Sequence, residues 1–387
     1  MLSRRVVGCM TGTSIDALDV ALLKIDGRGL SLRARVLHCT TSPLGELGEQ
    51  LRRLARQEPV PVGHIAELSA ALSRAHVSVL RGLPSDGRLD LIAVHGQTIY
   101  HRPPVSWQLL TPALIASALR ATVVCDLRAA DLAAGGQGAP ITPLADYVLF
   151  GRSEHHTAVI NLGGYCNFTL LPAATPATAA HTQRVSAIRA GDICACNQLL
   201  DEIARRTLGM PFDADGKAAA AGNIDAAAHA EILAALRAQA ASRRSLGTGD
   251  ELLACVARYV GKLPGPDLAR SACAALADTI IETVDRVAAE AGLNGTLRYL
   301  LAGGGTRNRT LLATLRRRAG GPLDLTDAHG VPATYREAAA IAVLGVLCQD
   351  GLPITLPQVT GAAAPVPVSG TWIYGSPPER RRHRAGK

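Results

Sequence analysis

The chain has 387 residues, of which 48% are hydrophobic and 19% are charged. This length exceeds one typical core and predicts two or three domains, and an aromatic content of only 3% argues against a nucleic-acid surface built on stacked bases. The formal net charge of +8 is partly local, because the last nine residues, ERRRHRAGK, carry five basic side chains and one acidic one. We interpret residues 376–387 as a disordered basic tail and expect no nucleic-acid partner.

No stretch of the sequence approaches the roughly 18 apolar residues of a membrane-spanning helix, so we expect no membrane partner. Cys9 follows Val-Val-Gly, as in a lipidation site, but no apolar segment of about 7–15 residues precedes it, which argues against a signal peptide. The nine cysteines are odd in number and lack the spacing of a disulfide scaffold. This indicates free thiols in a reducing compartment, and we predict a cytoplasmic protein.

The predicted elements begin with two strands joined by a polar turn, over residues 5–25. The next predicted elements are a helical region at about 44–82, a strand near 90–95, a helix at 111–120 and a strand near 121–126. A second strand–turn–strand unit lies at 157–171. Because the two units are about 150 residues apart, we interpret them as an internal duplication that places two similar domains across a cleft.

The second half of the chain is predicted to contain helices near 197–208, 226–241, 250–261 and 267–291, a strand at 297–303, a helix at 307–319 and an apolar helix from Glu337 to Gln349. The Pro- and Gly-rich stretch 351–378 is predicted to return to the first domain. We therefore predict an α/β protein. Its first domain comprises residues 1–140 and about 352–375, and its second comprises residues 141–351.

The turn between the first two strands reads Gly12-Thr13-Ser14-Ile15-Asp16. Its backbone N–H groups and two hydroxyls can close around phosphate oxygens, and Asp16 can hold Mg²⁺ directly or through water. The turn is not a Walker loop, because it lacks the Lys-Ser/Thr ending and a strand follows it instead of a helix. An ordinary polar hairpin turn is the structural alternative.

Two further glycine turns follow. Gly163-Gly164 lies in the second unit, and Gly303-Gly304-Gly305 lies between a strand and a helix. Glycine is needed where backbone approaches a ligand closely, so we predict that the first pair contacts a phosphate and the triplet contacts the base or ribose of a nucleotide. This order of turns is typical of actin-like kinases. We include Asn308, just after the triplet, among the nucleotide-binding residues.

Polar side chains also cluster near the ends of two predicted strands, where α/β proteins commonly bind ligands. His95, Gln97 and Thr98 follow the strand near 90–95, and Arg128 follows the strand near 121–126. We predict that these residues contact the substrate. A domain-bracing salt bridge is the alternative for Arg128.

Asp192 lies just before a predicted helix, and a carboxylate at the lip of a cleft can act as a general base. A helix-capping aspartate is the alternative, and spacing alone favours it. Cys194 and Cys196 lack the second cysteine pair or the flanking histidines of a zinc site, so we expect no metal there.

Six segments resemble the successive motifs of the anhydro-N-acetylmuramic acid kinases: GCMTGTSIDALDVAL, VHGQTIYHRP, VVCDLRAADLAAGGQGAPITPLAD, VINLGGYCNFTLL, AGGGTRNRTLL and QVTGAAAPVPVSGTWIY. They occur in that family's order and cover about residues 5–375. The resemblance implies a two-domain actin-like (ASKHA, RNase H-like) fold that binds nucleotide and sugar between the domains, and a homodimer. It also implies cleavage of a 1,6-anhydro bond coupled to phosphorylation of the freed O6, with ATP and Mg²⁺, in cell-wall recycling.

The resemblance further assigns roles to residues of this chain. The segment from Gly12 through Asp19 would bind ATP. Asp192 would be the catalytic base, and Asn197 and Glu337 would contact the sugar. The product would be N-acetylmuramic acid 6-phosphate.

The sequence departs from the family pattern beside the base. The family's Asp-Thr/Cys-Gly-Pro-Gly-Asn reads here Asp192-Ile-Cys194-Ala-Cys196-Asn197. Because cysteine carries a Cβ, we expect these side chains to fill space beside Asp192 and narrow the acceptor pocket, unless the loop relaxes by about an ångström instead. Two alternatives follow: a paralogous phosphotransferase for another sugar or sugar-like acceptor, and a nucleotide-binding pseudokinase that senses a sugar.

Overall fold

The computed structural model describes residues 2–84, 87–174, 180–247, 249–250, 252–363 and 366–375. The predicted basic tail, residues 376–387, lies outside this part of the chain. The strands are β1 (Ser3–Thr11), β2 (Ala17–Asp26), β3 (Arg33–Pro43), β4 (Leu91–Val94), β5 (Gln97–Arg102), β6 (Val105–Leu109), β7 (Val123–Cys125), β8 (His156–Leu162), β9 (Tyr165–Leu171), β10 (Arg189–Ala195), β11 (Leu297–Ala302), β12 (Leu323–Leu325) and β13 (Thr371–Ile373).

The α-helices are α1 (Gly45–Ala55), α2 (Val62–Arg81), α3 (Pro112–Leu119), α4 (Ala129–Ala133), α5 (Pro143–Phe150), α6 (His181–Ser186), α7 (Asn197–Ile203), α8 (Lys217–Ala221), α9 (Ala226–Ser242), α10 (Leu253–Ala257), α11 (Gly265–Glu290), α12 (Arg309–Arg318), α13 (Arg336–Gln349) and α14 (Pro357–Thr360). The helical pattern predicted over 44–82 is two helices, because Pro59 and Pro61 interrupt it. The helix predicted at 250–261 is shorter than expected and comprises only α10.

Two sheets share one topology. The first has the order β13-β7-β4-β1-β2-β3 and the second the order β10-β9-β8-β11-β12. Each begins with an antiparallel meander, β1–β2–β3 or β8–β9–β10, and then adds two parallel strands, β4 and β7 or β11 and β12. This repeat confirms the predicted α/β class and the internal duplication, and it is the actin-like arrangement that the resemblance implied.

The end of the chain returns to the first sheet. β13 pairs antiparallel with β7, so that Thr371 lies opposite Cys125 and Ile373 opposite Val123. The predicted return of the Pro- and Gly-rich stretch is therefore confirmed for the residues that the structure describes. The domain division at residues 140/141 and 351/352 stays a prediction.

Three apolar cores lie between the layers. One packs α1, α2 and α3 on the outer face of the first sheet, and another packs α7, α9, α11 and α12 on the outer face of the second. The middle core joins both sheets through α5 and α13. Helix α13 lies very close to β1, because a Cβ added to Gly8 would stand 1.9 Å from the carbonyl oxygen of Ala338. Glycine is thus required at this position of β1.

A buried ion pair crosses the middle core. Arg336, at the start of α13, donates through Nε to Oδ1 of Asp146 on α5 at 2.8 Å. Thr169 on β9 donates its hydroxyl to the same carboxylate at 2.7 Å. Arg336 and Asp146 are almost completely buried, so the pair fixes the start of α13 against α5 and the second sheet.

All nine cysteines are free thiols in the structure. Eight are buried, and Cys39 on β3 is partly exposed. Among the described residues, the helices are either too short or too polar to cross a bilayer.

Candidate active site

The backbone of the first glycine turn is anchored by hydrogen bonds, while its polar side chains are exposed. Ile15 adopts a φ of +53° and buries its side chain, while its N–H donates to the Gly12 carbonyl at 3.2 Å. Arg52 of α1 donates through Nη1 to the Ile15 carbonyl at 2.8 Å. Thr13, Ser14 and Asp16 remain exposed. The anchored backbone therefore presents hydroxyls and a carboxylate to the cleft, which an ordinary hairpin turn does not require.

The second glycine turn faces the first across the cleft. A Cβ added to Gly164 would stand 2.9 Å from Oγ1 of Thr13, which belongs to the other sheet's turn. The carbonyl oxygens of Gly163 and Gly164 accept hydrogen bonds from the backbone N–H groups of Asn197 and Cys196, at 3.1 and 2.9 Å. The turn is therefore held from behind by the start of α7.

The third glycine turn packs on the second. Gly303 has a φ of +88°, and an added Cβ would stand 2.7 Å from both Oδ1 of Asn161 and the carbonyl oxygen of Leu162. A Cβ on Gly305 would stand 2.8 Å from Oδ1 of Asn197. The three turns predicted as a nucleotide clamp thus lie together, although they are far apart in the chain.

Two of the predicted ligand-binding asparagines have structural partners. Asn197 donates through Nδ2 to the Leu162 carbonyl at 3.0 Å and so braces the second turn. Asn308 caps α12 by accepting from the Leu311 N–H at 2.9 Å. Their assignments to sugar and nucleotide stay predictions.

Carboxylates concentrate beside the first glycine turn. Burial raises the pKa of Asp19, and the nearby charge of Asp16 raises it further, while a hydrogen bond from the Thr41 hydroxyl, at 2.5 Å, opposes the rise. Burial raises the pKa of Asp201, on α7, to about 6, and Asp16 contributes again. Sequence reasoning missed Asp201, because only the fold brings α7 beside the first turn.

This negative potential fits a magnesium–nucleotide complex. Within the described ranges, no cluster of three or more His, Cys, Asp or Glu side chains could bind a metal ion by itself. Mg²⁺ commonly takes one or two carboxylates, substrate phosphates and several waters, and the exposed Asp16 suits that mode. Asp16 is therefore the residue that would hold the ion.

His95 and Arg128 form a buried unit beside the cleft. Nδ1 of His95 donates to the Gly96 carbonyl at 2.9 Å, and its Nε2 accepts from Nη2 of Arg128 at 2.8 Å. Burial and the Arg128 charge lower the pKa of His95 to about 3, so the imidazole is neutral. Arg128 also donates to the Gly138 carbonyl at 2.5 Å.

Arg128 faces the two carboxylates predicted for the acceptor site. Burial lowers the pKa of Arg128 to about 10, while the charges of Glu337 and Asp192 oppose this change. The guanidinium therefore lies in the field of residues from both halves of the chain.

Gln97 and Thr98 lie on the β5–β6 hairpin near this unit. Gln97 is buried, and its Nε2 donates to the Thr98 carbonyl at 3.1 Å. Thr98 is half-buried, and its hydroxyl accepts from Nε2 of Gln108 at 3.4 Å. The predicted sugar contacts of this hairpin stay predictions.

Asp192 lies within β10, and Cys196 is the residue that precedes α7, so the helix-capping alternative is wrong. Its Oδ2 accepts from the Leu246 N–H at 2.8 Å. Burial raises the pKa of Asp192 to about 6, and the Leu246 hydrogen bond and the Arg128 charge limit the rise. A carboxylate with this pKa is largely ionised at neutral pH and is basic enough to accept a proton.

A β-bulge fixes the direction of the neighbouring cysteines. The register of β10 against β9 shifts between Asp192 and Cys194, so Ile193 is the extra residue. Ile193, Cys194 and Cys196 are all fully buried in the outer core of the second sheet. In an unbroken strand, Cys194 would share the face of Asp192. The expectation that these cysteines fill space beside the base is therefore wrong.

Glu337 lies at the start of α13. Burial raises its pKa, while the charges of Arg336 and Arg128 and a hydrogen bond from the Asn161 amide lower it. The Arg336–Asp146 pair fixes this turn of helix, so it also positions the backbone of Glu337.

The chain has two duplicated sheets, glycine turns that face each other and an aspartate that can accept a proton. These features define a sugar kinase of the actin-like class that uses ATP. The sequence matches the anhydro-N-acetylmuramic acid kinase family over residues 4–374. The chain belongs to the anhydro-N-acetylmuramic acid kinase family.

Two relatives illustrate this similarity. The anhydro-N-acetylmuramic acid kinase of Synechococcus sp. strain CC9605 is 34% identical over 371 residues, which cover 92% of this chain and 96% of the relative. That of Bordetella parapertussis strain 12822 is 35% identical over 375 residues, which cover 93% and 94%.

Solved structures show a more distant similarity. A ROK family glucokinase from Streptomyces griseus in complex with glucose and AMPPNP has a TM-score of 0.39 and 14% identity, over 88% of this chain and 99% of that chain. The activator of 2-hydroxyisocaproyl-CoA dehydratase from Clostridium difficile with bound ADPNP has a TM-score of 0.42 and 12% identity, over 88% and 94%.

Proposed function

We propose that this kinase hydrolyses the 1,6-anhydro bond of 1,6-anhydro-N-acetylmuramic acid and phosphorylates O6, giving N-acetylmuramic acid 6-phosphate for cell-wall recycling. The observation that carries the proposal is the position of Asp192. It lies on a bulged strand, has a pKa raised to about 6 and faces Arg128 across the cleft. A kinase for an ordinary sugar hydroxyl deprotonates that hydroxyl, whereas O6 of the anhydro sugar carries no proton and the base instead activates a water molecule.

One base is sufficient for the coupled reaction. Asp192 takes one proton from a water molecule as its oxygen attacks the anomeric carbon. The bond between that carbon and the bridging oxygen breaks, and the released O6 attacks the γ-phosphorus in line, so that ADP leaves. The remaining catalysis is positioning and charge stabilisation.

The other residues support the two ends of this reaction. The turns at Gly12, Gly163 and Gly303 present backbone to the phosphates and the adenosine, and Asp16 would hold Mg²⁺, which neutralises phosphate charge. Glu337 and Arg128 lie on the acceptor side, where a carboxylate accepts from sugar hydroxyls and a guanidinium donates to them. The two functions therefore occupy opposite ends of one cleft.

ADP release with and without 1,6-anhydro-N-acetylmuramic acid tests the proposal, with mass spectrometry of the sugar product. We expect sugar-dependent ADP and a product heavier than the anhydro sugar by one phosphoryl group and one water. ATP binding without turnover would instead indicate a pseudokinase, and turnover only with other acceptors would indicate a paralogous phosphotransferase. The burial of Cys194 and Cys196 away from Asp192 removes the main reason to favour a different acceptor.

We also propose a cytoplasmic homodimer. Nine free thiols suit a reducing compartment, and the dimer rests on the family resemblance. Light scattering of the purified protein measures its oligomeric state, and a monomeric mass at micromolar concentration would contradict the proposed dimer.

A further inference from the structure

A row of polar side chains crosses the second sheet at the cleft. Asp192 on β10 lies directly opposite Asn167 on β9, and Asn167 lies directly opposite Asn161 on β8. Residues directly opposite in antiparallel strands point to the same face with Cβ atoms about 4.5–5.5 Å apart. The three side chains therefore form one continuous row.

The face of this row is the inner one. Ile160, Leu162 and Phe168, which alternate with the asparagines, belong to the outer core. Two residues away from Asn167 along β9, Thr169 points inward and binds the buried Asp146. The row thus begins where the packing against α5 ends, and it faces the cleft.

The two ends of the row are engaged. At one end, Asp192 accepts from the Leu246 N–H. At the other, the Asn161 amide lies near Glu337 and lowers the pKa of its carboxyl. Oδ1 of Asn161 is buried and has no hydrogen-bond partner in the described part of the chain. Asn167, between them, is half-buried, and its amide makes no side-chain hydrogen bond to any residue that the structure describes. An amide between two carboxylates of the acceptor site is free to bind ligand.

We infer that Asn167 is a further catalytic residue, whose amide oxygen holds the attacking water together with Asp192. This inference rests on the proposed function. One proton of the water passes to Asp192. The other stays on the oxygen, donates to Oδ1 of Asn167, and remains on the new anomeric hydroxyl after the carbon–oxygen bond of the anhydro bridge breaks. The two acceptors fix the direction of the oxygen lone pair that attacks the sugar.

Two substitutions of nearly equal size separate this role from a structural one. Asn167→Leu removes the amide, and we expect kcat with the anhydro sugar to fall about 10- to 100-fold while the KM for ATP stays unchanged. Asn167→Asp keeps an acceptor but adds a negative charge opposite Asp192. We expect the acidic limb of the kcat/KM profile to move up by about one pH unit. Asn294→Leu and Asn294→Asp, at an exposed loop, are the matched controls.

Wild-type kcat in Asn167→Leu, or an unmoved acidic limb in Asn167→Asp, would overturn the inference while the proposed function stands. If Asn167→Leu does not fold, the pH profile of Asn167→Asp decides. A wild-type protein that forms no ADP with the anhydro sugar contradicts the proposed function instead. Carbon-13 NMR titration of the Asp192 carboxyl, assigned with Asp192→Asn, then provides the test: Asn167→Asp must raise its pKa, and an unchanged value rejects the placement of Asn167.

Discussion

Gly164 lies so close to Thr13 that a methyl group on it would displace the Thr13 side chain: an added Cβ would stand 2.9 Å from the hydroxyl oxygen. These residues belong to the glycine turns of two different sheets. The two turns therefore lie against each other across the cleft, where we predict that they contact phosphate.

Gly164→Ala should disturb this contact, because the Thr13 hydroxyl must turn away from the new methyl group. We expect the KM for ATP to rise about 10-fold, the equivalent of roughly 1.4 kcal/mol, with a smaller change in the KM for the sugar. Gly320→Ala is the matched control, since an added Cβ there meets nothing within 4 Å. Equal ATP kinetics in the two variants would contradict the facing arrangement.

Asp192→Asn should lower turnover by about 10²–10⁴-fold and leave ATP binding nearly unchanged, because the variant retains its shape but loses the base. Turnover at saturating sugar and ATP binding by calorimetry measure the two effects. Asp324→Asn, at an exposed position on β12, is the control. Wild-type turnover in Asp192→Asn would reject the mechanism.

The same substitution should stabilise the protein at neutral pH. Because burial raises the folded-state pKa of Asp192 from 3.8 to about 6, its ionisation destabilises the folded state as pH rises through that value. We expect the free energy of unfolding of Asp192→Asn to exceed that of the wild type by the order of 2 kcal/mol at pH 8. The difference should vanish near pH 3, below the unfolded-state pKa of 3.8. Urea unfolding at both pH values measures it, and a less stable variant at pH 8 would show that Asp192 is favourably placed for folding.

Asp16→Ala should increase the Mg²⁺ concentration required for half-maximal activity and depress phosphoryl transfer, because the variant loses a carboxylate that Mg²⁺ favours. Magnesium titrations at fixed ATP measure the effect. Asp26→Ala, at the far end of β2, provides the control. A Mg²⁺ dependence identical to that of the wild type would contradict the assignment.

The double variant Cys194→Gly with Cys196→Gly restores the family's glycines but should not improve activity on the anhydro sugar. Both cysteine side chains lie in the outer core, so their removal leaves cavities and adds glycine flexibility to β10. We expect a loss of about 2–4 kcal/mol in the free energy of unfolding, measured with urea. A marked gain in turnover would show instead that these thiols restrict the acceptor pocket.

The sequence was sufficient for the local features of this site. The glycine turns are encoded within a few residues each, and the strand before His95 and the helix after Glu337 follow from apolar patterns. Their order predicted the duplicated α/β fold.

Features that depend on pairing between distant strands could not be predicted. The bulge at Ile193 changes which face Cys194 occupies, yet it exists only relative to β9. Without that register, Asp192 was placed before a helix and the cysteines beside the base. The row through Asn167 was missed for the same reason, since a one-residue shift in register would remove it.

The buried thiols allow local unfolding of this protein to be followed by chemical labelling. Burial raises the pKa of Cys196 and of Cys273 to about 12, so neither reacts as a thiolate while its core is closed. Each core carries its own thiols: Cys9 and Cys125 in the first, Cys348 in the middle one, and Cys166, Cys194, Cys196, Cys255 and Cys273 in the last. The rate at which an alkylating reagent labels the thiols of one core therefore measures how often that core unfolds locally. No introduced cysteine is needed for this measurement.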